Sequence, residues 1–224
     1  MKKDEITIKK KGWKDISINE YYALQDAIKE TKEPLEQSVA LLAVLCECTA
    51  DEIYALPMSR INELTKSIGW VLDFKFDRRF NSKKLTVAGK RYDVCVNLQD
   101  MTVSQYIDFQ MFYGKGDFKQ YMGNILTCFL VPEGKGYCEG YDATALAEEF
   151  RDTISITLAN AVCFFFVRRL VSSTRALCVF LEIMMKKMKK KASPQIMEKI
   201  AEMEAELAIR KKFLTQRSSS GGWL

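Results

Sequence analysis

The side chains that could do chemistry in this chain are those of lysine, arginine, the carboxylic acids and cysteine, because its 224 residues include no histidine. Without an imidazole the chain cannot form a Ser-His-Asp or Cys-His catalytic centre, a histidine-ligated zinc site or a histidine pH switch. An active site would have to combine Lys, carboxylate, Tyr or Cys side chains, and their spacing shows no such combination. We therefore expect a protein that is not an enzyme and that needs no cofactor and no metal.

A basic strip near the C-terminal end is the best candidate for binding an anion. Eight basic residues between positions 168 and 191 stand against one acid, Glu182. Such a strip can bind nucleic acid by releasing counterions from the phosphates. The alternative is that the cations oppose the dipole at the C-terminal end of a helix and remain solvated. The strip consists of Arg168, Arg169, Arg175, Lys186, Lys187, Lys189, Lys190 and Lys191.

Seven cysteines occur at irregular spacing, and the N-terminal residues resemble no secretory signal. An odd number of cysteines without such a signal indicates free thiols in a reducing cytoplasm. Cys46 and Cys48 form the one close pair, and no second pair follows at zinc-ligand spacing. Three others lie inside apolar runs, where we expect them to pack as small core residues: Cys128, Cys163 and Cys178.

The longest apolar stretch runs from Ile154 to Val167 and still contains polar residues. A helix of this length rises about 21 Å, which is less than the roughly 30 Å of a bilayer's hydrocarbon core. The stretch therefore predicts a buried helix, and we expect no membrane partner.

Helical spacing dominates the chain, so the sequence predicts a mainly α-helical fold with one small β-hairpin. Ser17 or Asn19 can cap a first helix, and Pro34 can start a second. Residues 84–94 form two alternating arms around an Ala-Gly-Lys turn, which indicates the hairpin. Residues 153–191 can form one long helix or two consecutive ones.

The pattern divides the chain into six segments. They are a basic N-terminal lead (1–14), a helical unit (15–74), a β-hairpin connector (75–99), a second helical unit (100–170), long C-terminal helices (171–214) and a flexible tail (215–224).

The two helical units begin with similar sequences. Residues 15–25 align without gaps with residues 100–110, at an offset of 85 positions. An apolar helix is predicted after each copy, over Val39–Leu45 and over Ile125–Val131. We interpret this as an internal duplication; the alternative is chance similarity between two amphipathic helix starts.

The segment from Ile16 to Phe74 resembles tail-assembly chaperones of tailed bacteriophages, through I-S-I-N-E-Y, E-Q-S-V-A-L-L-A-V-L and T-A-D-E-I-Y-A-L-P-M-S-R-I-N-E-L. The phrases K-L-T-V-A-G-K-R-Y-D-V and L-Q-D-M-T-V-S-Q-Y-I-D-F-Q are similar to proteins of phages that infect gut bacteroidetes. The resemblance implies a small helical protein without catalytic residues, located in the host cytoplasm or associated with the virion. It also implies transient binding to the long, helical, aggregation-prone tape-measure protein during tail assembly.

We expect the partner's apolar residues to occupy a groove between the duplicated helices. Tyr21, Gln25, Tyr106 and Gln110 would stand at the edges of the groove, because each pair shares a helix face. A second contact would involve Met203, Leu207 and Trp223, on an amphipathic terminal helix and the tail that follows it. A second copy of the chain is a further candidate partner. The competing hypothesis is a nucleic-acid-associated or packaged virion protein that uses the basic strip.

Overall fold

The computed structural model describes residues 6–30, 33–73 and 80–189, together with separate helical residues between 199 and 208. The described part contains eight α-helices and three strands, which confirms the predicted helix-dominated fold. The chain divides into two compact units, residues 1–165 and 166–224. The elements are α1 (Ile18–Glu30), α2 (Pro34–Cys46), α3 (Ala50–Tyr54), α4 (Met58–Ser67), β1 (Lys84–Val87), β2 (Lys90–Val94), α5 (Val103–Gly114), α6 (Phe118–Thr127), β3 (Leu130–Pro132), α7 (Ala143–Thr153) and α8 (Ile156–Lys189).

Helices α1 and α5 begin with the same kind of cap. The Ser17 hydroxyl accepts a hydrogen bond from the Glu20 backbone N–H at 3.2 Å, and the Glu20 carboxylate accepts one from the Ser17 N–H at 2.7 Å. Thr102 and Gln105 repeat this reciprocal pair at 3.2 and 2.8 Å. Each pair satisfies two backbone donors that a helix start leaves without partners. The predicted cap of α1 is therefore confirmed at Ser17.

The predicted hairpin is confirmed by the antiparallel pairing of β1 with β2, in which Val87 lies opposite Lys90. The two turn residues, Ala88 and Gly89, both have positive φ angles, of 47° and 78°. A two-residue turn of this kind matches the right-handed twist of the flanking strands. An L-residue with a side chain pays a steric cost there, so Ala88 is strained and Gly89 is not.

The sequence did not predict the third strand. The antiparallel strand β3 pairs with β2, so the hairpin is part of a three-stranded sheet in the order β1-β2-β3. The apolar helix expected over Ile125–Val131 is wrong in its second half, because α6 ends at Thr127 and β3 begins at Leu130. A short, continuous apolar run fits a buried strand as well as a buried helix, so its periodicity could not separate the two.

Several element boundaries recur at the offset of the sequence repeat. Helices α1 and α5 begin 85 positions apart, as do α4 and α7, and a short 3-10 helix precedes each copy at Trp13–Asp15 and Leu98–Asp100. Helix α3 has no counterpart, since a loop occupies residues 135–139. These boundaries are consistent with a duplication, which stays a prediction.

Helices α6 and α7 approach each other closely at Gly123, which is buried. A Cβ atom at this position would overlap the carbonyl oxygen of Ala147 in α7. That oxygen belongs to the helix backbone, so relieving the overlap requires α7 to shift as a whole. A glycine is therefore needed here by the packing of the two helices.

The 34-residue helix α8 is continuous from Ile156 to Lys189, which corresponds to the first of the two predicted arrangements except that α7 ends separately at Thr153. In the second compact unit Leu207 is buried with Cys178 and Met185, and Leu181 packs against this cluster. Among the described residues, no helix is long and apolar enough to cross a membrane.

Replacing Gly123 by Ala should lower the free energy of unfolding by about 1–3 kcal/mol, because the added methyl group overpacks the contact between α6 and α7. Urea denaturation followed by circular dichroism measures this change. Gly114→Ala is the matched control, since a Cβ at that helical position meets nothing within 4 Å. The control should be neutral or stabilising by up to about 1 kcal/mol. Equal losses in the two variants would contradict the close approach.

Replacing Ala88 by Asn should raise the free energy of unfolding by about 0.5–1 kcal/mol, because Asn tolerates the left-handed conformation better than Ala does. Gly89→Ala should have the opposite effect in the same urea titration. A loss of stability in the Asn variant would show that the turn does not have positive φ angles at both residues.

Candidate functional site

A buried polar side chain fixes helix α5 to the rest of its unit. Gln105 is one of two buried polar residues among those described. Its amide donates a hydrogen bond to the backbone carbonyl of Cys128 at 3.2 Å, while its carbonyl oxygen completes the cap with Thr102. Both ends of the side-chain amide are thus used, one on α5 itself and one on the residue that follows α6. These two hydrogen bonds therefore fix the position and orientation of the start of α5 relative to the end of α6.

Aromatic side chains form the rest of the buried face of α5 and pack against neighbouring residues of the unit. Phe109 stacks on Tyr113 with ring centroids 5.3 Å apart and contacts Phe129 at 5.0 Å. Tyr113 meets Phe118 edge to face at 5.9 Å. These residues follow Gln105 at intervals of four, so they form a single buried stripe. The opposite face of the helix consequently points to solvent.

That outer face carries four large apolar side chains beside the polar Ser104 and Gln110, which is unusual for a surface helix. Val103 is 76% exposed, Ile107 58%, Met111 48% and Tyr106 46%. We refer to these four residues as the α5 stripe. Val103, Ile107 and Met111 are four positions apart, so they line up along the helix, and Tyr106 lies beside Ile107. A row of exposed apolar side chains makes this face a candidate contact surface for another protein.

The α5 stripe carries no charge. Asp108 is the one charged residue within α5, and it accepts a hydrogen bond from the Tyr137 hydroxyl at 2.8 Å. On a helical wheel Asp108 lies about 100° from Ile107, toward the loop that contains Tyr137. The hydrogen bond thus holds the carboxylate away from the stripe. A partner needs no compensating cation at the centre of this surface.

Most of the equivalent face of α1 is buried, except at Asp26, which corresponds to Met111, is partly exposed and pairs with Lys119. At the repeat offset Ile18, Tyr21 and Tyr22 correspond to Val103, Tyr106 and Ile107, yet they are only 0%, 3% and 8% exposed. Tyr21 meets Trp13 at 5.7 Å and Tyr22 at 5.2 Å, both edge to face.

Elements from both halves of the unit pack against α1 and the residues just before it. Helix α1 packs against α2 and α7, and the Ile156 N–H at the start of α8 donates to the Ile16 carbonyl oxygen at 2.8 Å. The same kind of helix start is therefore part of the core in one copy and exposed in the other.

The structure separates the residues predicted to bind a partner. The prediction that Tyr21 stands at the edge of a groove is wrong, because its side chain is buried against Trp13 and Tyr22. Gln25 and Gln110 are partly exposed, whereas Tyr106 belongs to the α5 stripe. A groove with both tyrosines on its rim is thus not formed.

The predicted second contact is also corrected in part. Leu207 is buried with Cys178 and Met185, so it stabilises its own unit and is not accessible to a partner. Met203 and Trp223 lie outside the described residues. Sequence reasoning missed Val103, Ile107 and Met111, although their four-residue spacing opposite the Gln105–Phe109–Tyr113 stripe was a signal of a second apolar face.

The basic strip is only partly described. Arg168 and Arg169 are exposed on α8, and the helix extends through Lys186, Lys187 and Lys189 to its end. Lys190 and Lys191 lie outside the described residues. The nucleic-acid hypothesis for this strip therefore stays a prediction.

The buried thiols are poorly suited to nucleophilic chemistry. All seven cysteines are free, and burial raises the pKa of Cys46 to about 11 and those of Cys128 and Cys163 to about 12. A thiol reacts as its thiolate, so these groups are protonated and unreactive near neutral pH. No group of three or more Cys, Asp or Glu side chains in the described ranges is arranged to hold a metal ion.

Comparison with known proteins gives no further assignment. No protein-family model matches the chain, and no curated protein or solved structure matches it significantly.

Cysteine alkylation tests which of the cysteines are buried and which are exposed. With iodoacetamide at about pH 8, exposed Cys138 should be modified first, while Cys128 and Cys163 should stay unmodified until the protein unfolds, because burial both raises their pKa and excludes the reagent. Mass spectrometry of the resulting peptides gives the order. Urea-unfolded protein is the control, in which all cysteines should react at similar rates. Early modification of Cys163 in the native protein would contradict its placement.

Proposed function

We propose that this protein is a non-enzymatic phage protein that binds a helical partner during tail assembly, and that the α5 stripe is its binding surface. The observation that carries the proposal is the exposure of Val103, Tyr106, Ile107 and Met111 on a helix fixed by its other face. The setting rests on the sequence resemblance to tail-assembly chaperones. The proposed location is the host cytoplasm, where tails are assembled.

The partner should be a helix with an apolar face. A helix that lies along α5 can place apolar residues between Val103, Ile107 and Met111, whose spacing matches the i, i+4 ridges of a helix surface. Tyr106 and Gln110 lie at one edge of the stripe, where their polar ends can bond to groups at the rim of the contact. The resemblance implies a long, helical, aggregation-prone tape-measure protein as the partner, and such a protein would fit this surface.

Rigid support of the stripe favours binding. The buried hydrogen bond of Gln105 and the stacked rings of Phe109 and Tyr113 fix α5 before any partner arrives. Helix α5 therefore does not have to become ordered when a partner helix binds, and less of the interaction energy is lost as conformational entropy. The apolar groups of the stripe contribute about 25 cal/mol for each Å² that the partner removes from water.

Affinity capture from the infected host tests the proposal. Tagged wild-type protein should recover one long helical phage protein, and this recovery should survive nuclease treatment. Ile107→Asp should reduce the recovery at least about tenfold, because it places a carboxylate at the centre of an apolar contact. Mass spectrometry identifies and quantifies the captured protein.

Leu72→Asp is the matched control, since Leu72 is an exposed apolar residue outside α5 and its replacement should leave the recovery unchanged. Circular dichroism shows whether each variant keeps its helical content. Equal recovery by the Ile107 variant would reject the α5 stripe as the binding surface. Partners that disappear on nuclease treatment would instead favour nucleic-acid binding by the basic strip.

A further inference from the structure

The geometry of the α5 stripe points to a second copy of this chain as its occupant in the free protein. We infer that two molecules pair through antiparallel α5 helices, related by a twofold axis that passes close to Ile107. This inference goes beyond the proposed function, because it concerns the protein without its phage partner. It depends on three features of α5: the symmetry of its spacing, its uncharged centre and the charges beyond its two ends.

The spacing of the stripe is symmetric about its middle. Val103 and Met111 lie four positions before and after Ile107, and all three lie on the side of the helix away from the buried Gln105–Phe109–Tyr113 face. A twofold axis at Ile107 therefore places Val103 of one copy opposite Met111 of the other. The two Ile107 side chains meet at the axis. Such a self-complementary patch is what an isologous interface requires.

The centre of the stripe is compatible with its own image. A twofold contact brings each residue near its equivalent, so a charged centre would repel itself. The stripe has no charged member, and Asp108 is hydrogen-bonded to Tyr137 to one side of it. The antiparallel direction also sets the positive end of each helix dipole beside the negative end of the other.

The charged residues just beyond the two ends of α5 are complementary only if the two α5 helices of the dimer run antiparallel. Asp100 is exposed two residues before the cap of α5, and Lys115 is exposed directly after its last residue. The midpoint between positions 100 and 115 coincides with the middle of the stripe to within one residue. The twofold axis thus sets Asp100 of each copy near Lys115 of the other. A parallel pair would place like charges together at both ends.

The size of the surface indicates a weak, reversible dimer. Helix α5 is about 18 Å long, and a helix is about 10 Å wide, so the contact covers on the order of 200 Å² in projection. Stable complexes bury about 800 Å² on each partner. We therefore expect a dissociation constant of about 10 μM or weaker, so that a partner with a larger apolar face can displace the second copy.

Sedimentation equilibrium of the purified full chain, over about 5 μM to 1 mM, tests the inference. The wild type should show a concentration-dependent monomer–dimer equilibrium. Ile107→Asp should raise the dissociation constant at least about tenfold, and the matched control Leu72→Asp should leave it unchanged. Ile107→Ser provides a second, milder variant if circular dichroism shows that the aspartate variant is not folded.

The antiparallel arrangement of the two helices is tested by exchanging the charges of Asp100 and Lys115. Asp100→Lys and Lys115→Asp should each weaken the dimer by about threefold or more, because each places like charges together at both ends of the contact. The double variant D100K/K115D should restore the wild-type affinity. Lys115 also lies over the Tyr121 ring at 4.4 Å, so thermal unfolding of the Lys115 variant controls for the loss of that contact.

A monomeric wild type over the whole range would overturn the inference, as would a dimer that Ile107→Asp leaves unchanged. A dimer that the double variant fails to restore would overturn the antiparallel arrangement. These results are independent of the affinity capture. A monomer that still recovers the phage protein through Ile107 would refute self-pairing alone, and a dimer that recovers nothing would refute the proposed function alone.

Discussion

The hydrogen bond from the Gln105 amide to the Cys128 carbonyl is the interaction on which the exposed surface depends. Leaving a buried amide and a buried carbonyl unpaired costs about 1–3 kcal/mol for each group, so α5 cannot rotate about its axis without a large loss. The equivalent residue in the first copy is Glu20, whose carboxylate has no N–H to donate; it accepts from Ser17 and forms an ion pair with Lys10 at 2.7 Å. At this position α1 has the acid Glu20, which binds the N-terminal segment through Lys10. Helix α5 has the amide Gln105, which binds the interior through the Cys128 carbonyl.

The two copies show how little of a helix's environment its own sequence determines. Tyr21 and Tyr106 occupy the same position after the same cap, and one is buried while the other is exposed. The difference comes from outside the motif. Helix α7 lies against α1, the start of α8 is hydrogen-bonded to Ile16 just before α1, and Trp13 packs on Tyr21. In the place of Tyr22 the second copy has Ile107, which is exposed, so the position remains apolar although nothing in its own unit buries it.

Local features of the fold were predictable because nearby residues determine them. The Ser17 cap and the Ala-Gly turn follow from hydrogen bonds or φ angles within a few residues. The strand β3 was not predictable, since only its long-range pairing with β2 distinguishes it from the end of a helix. Of the residues predicted to bind a partner, Tyr106 and Gln110 lie on or beside the α5 stripe, whose binding role is the proposal above. The burial of Tyr21 and Leu207 could not be predicted, because it depends on contacts with distant parts of the chain.

An exposed apolar stripe is an aggregation hazard as well as a candidate binding surface, and the small size of the α5 stripe limits that hazard. Its two ends are marked by Asp100 and Lys115, and its flanks by Asp108 and Gln110, so apolar contact cannot extend beyond about three turns of helix. In the proposed dimer such a short surface would bind a copy of itself weakly, because each copy offers the same few side chains. A long apolar helix would offer many segments that fit the same three turns, so its effective concentration at the stripe would be higher. In the proposed function the difference in affinity would therefore arise from the length of the partner, and the α5 surface would exchange one occupant for the other without a change in its own conformation.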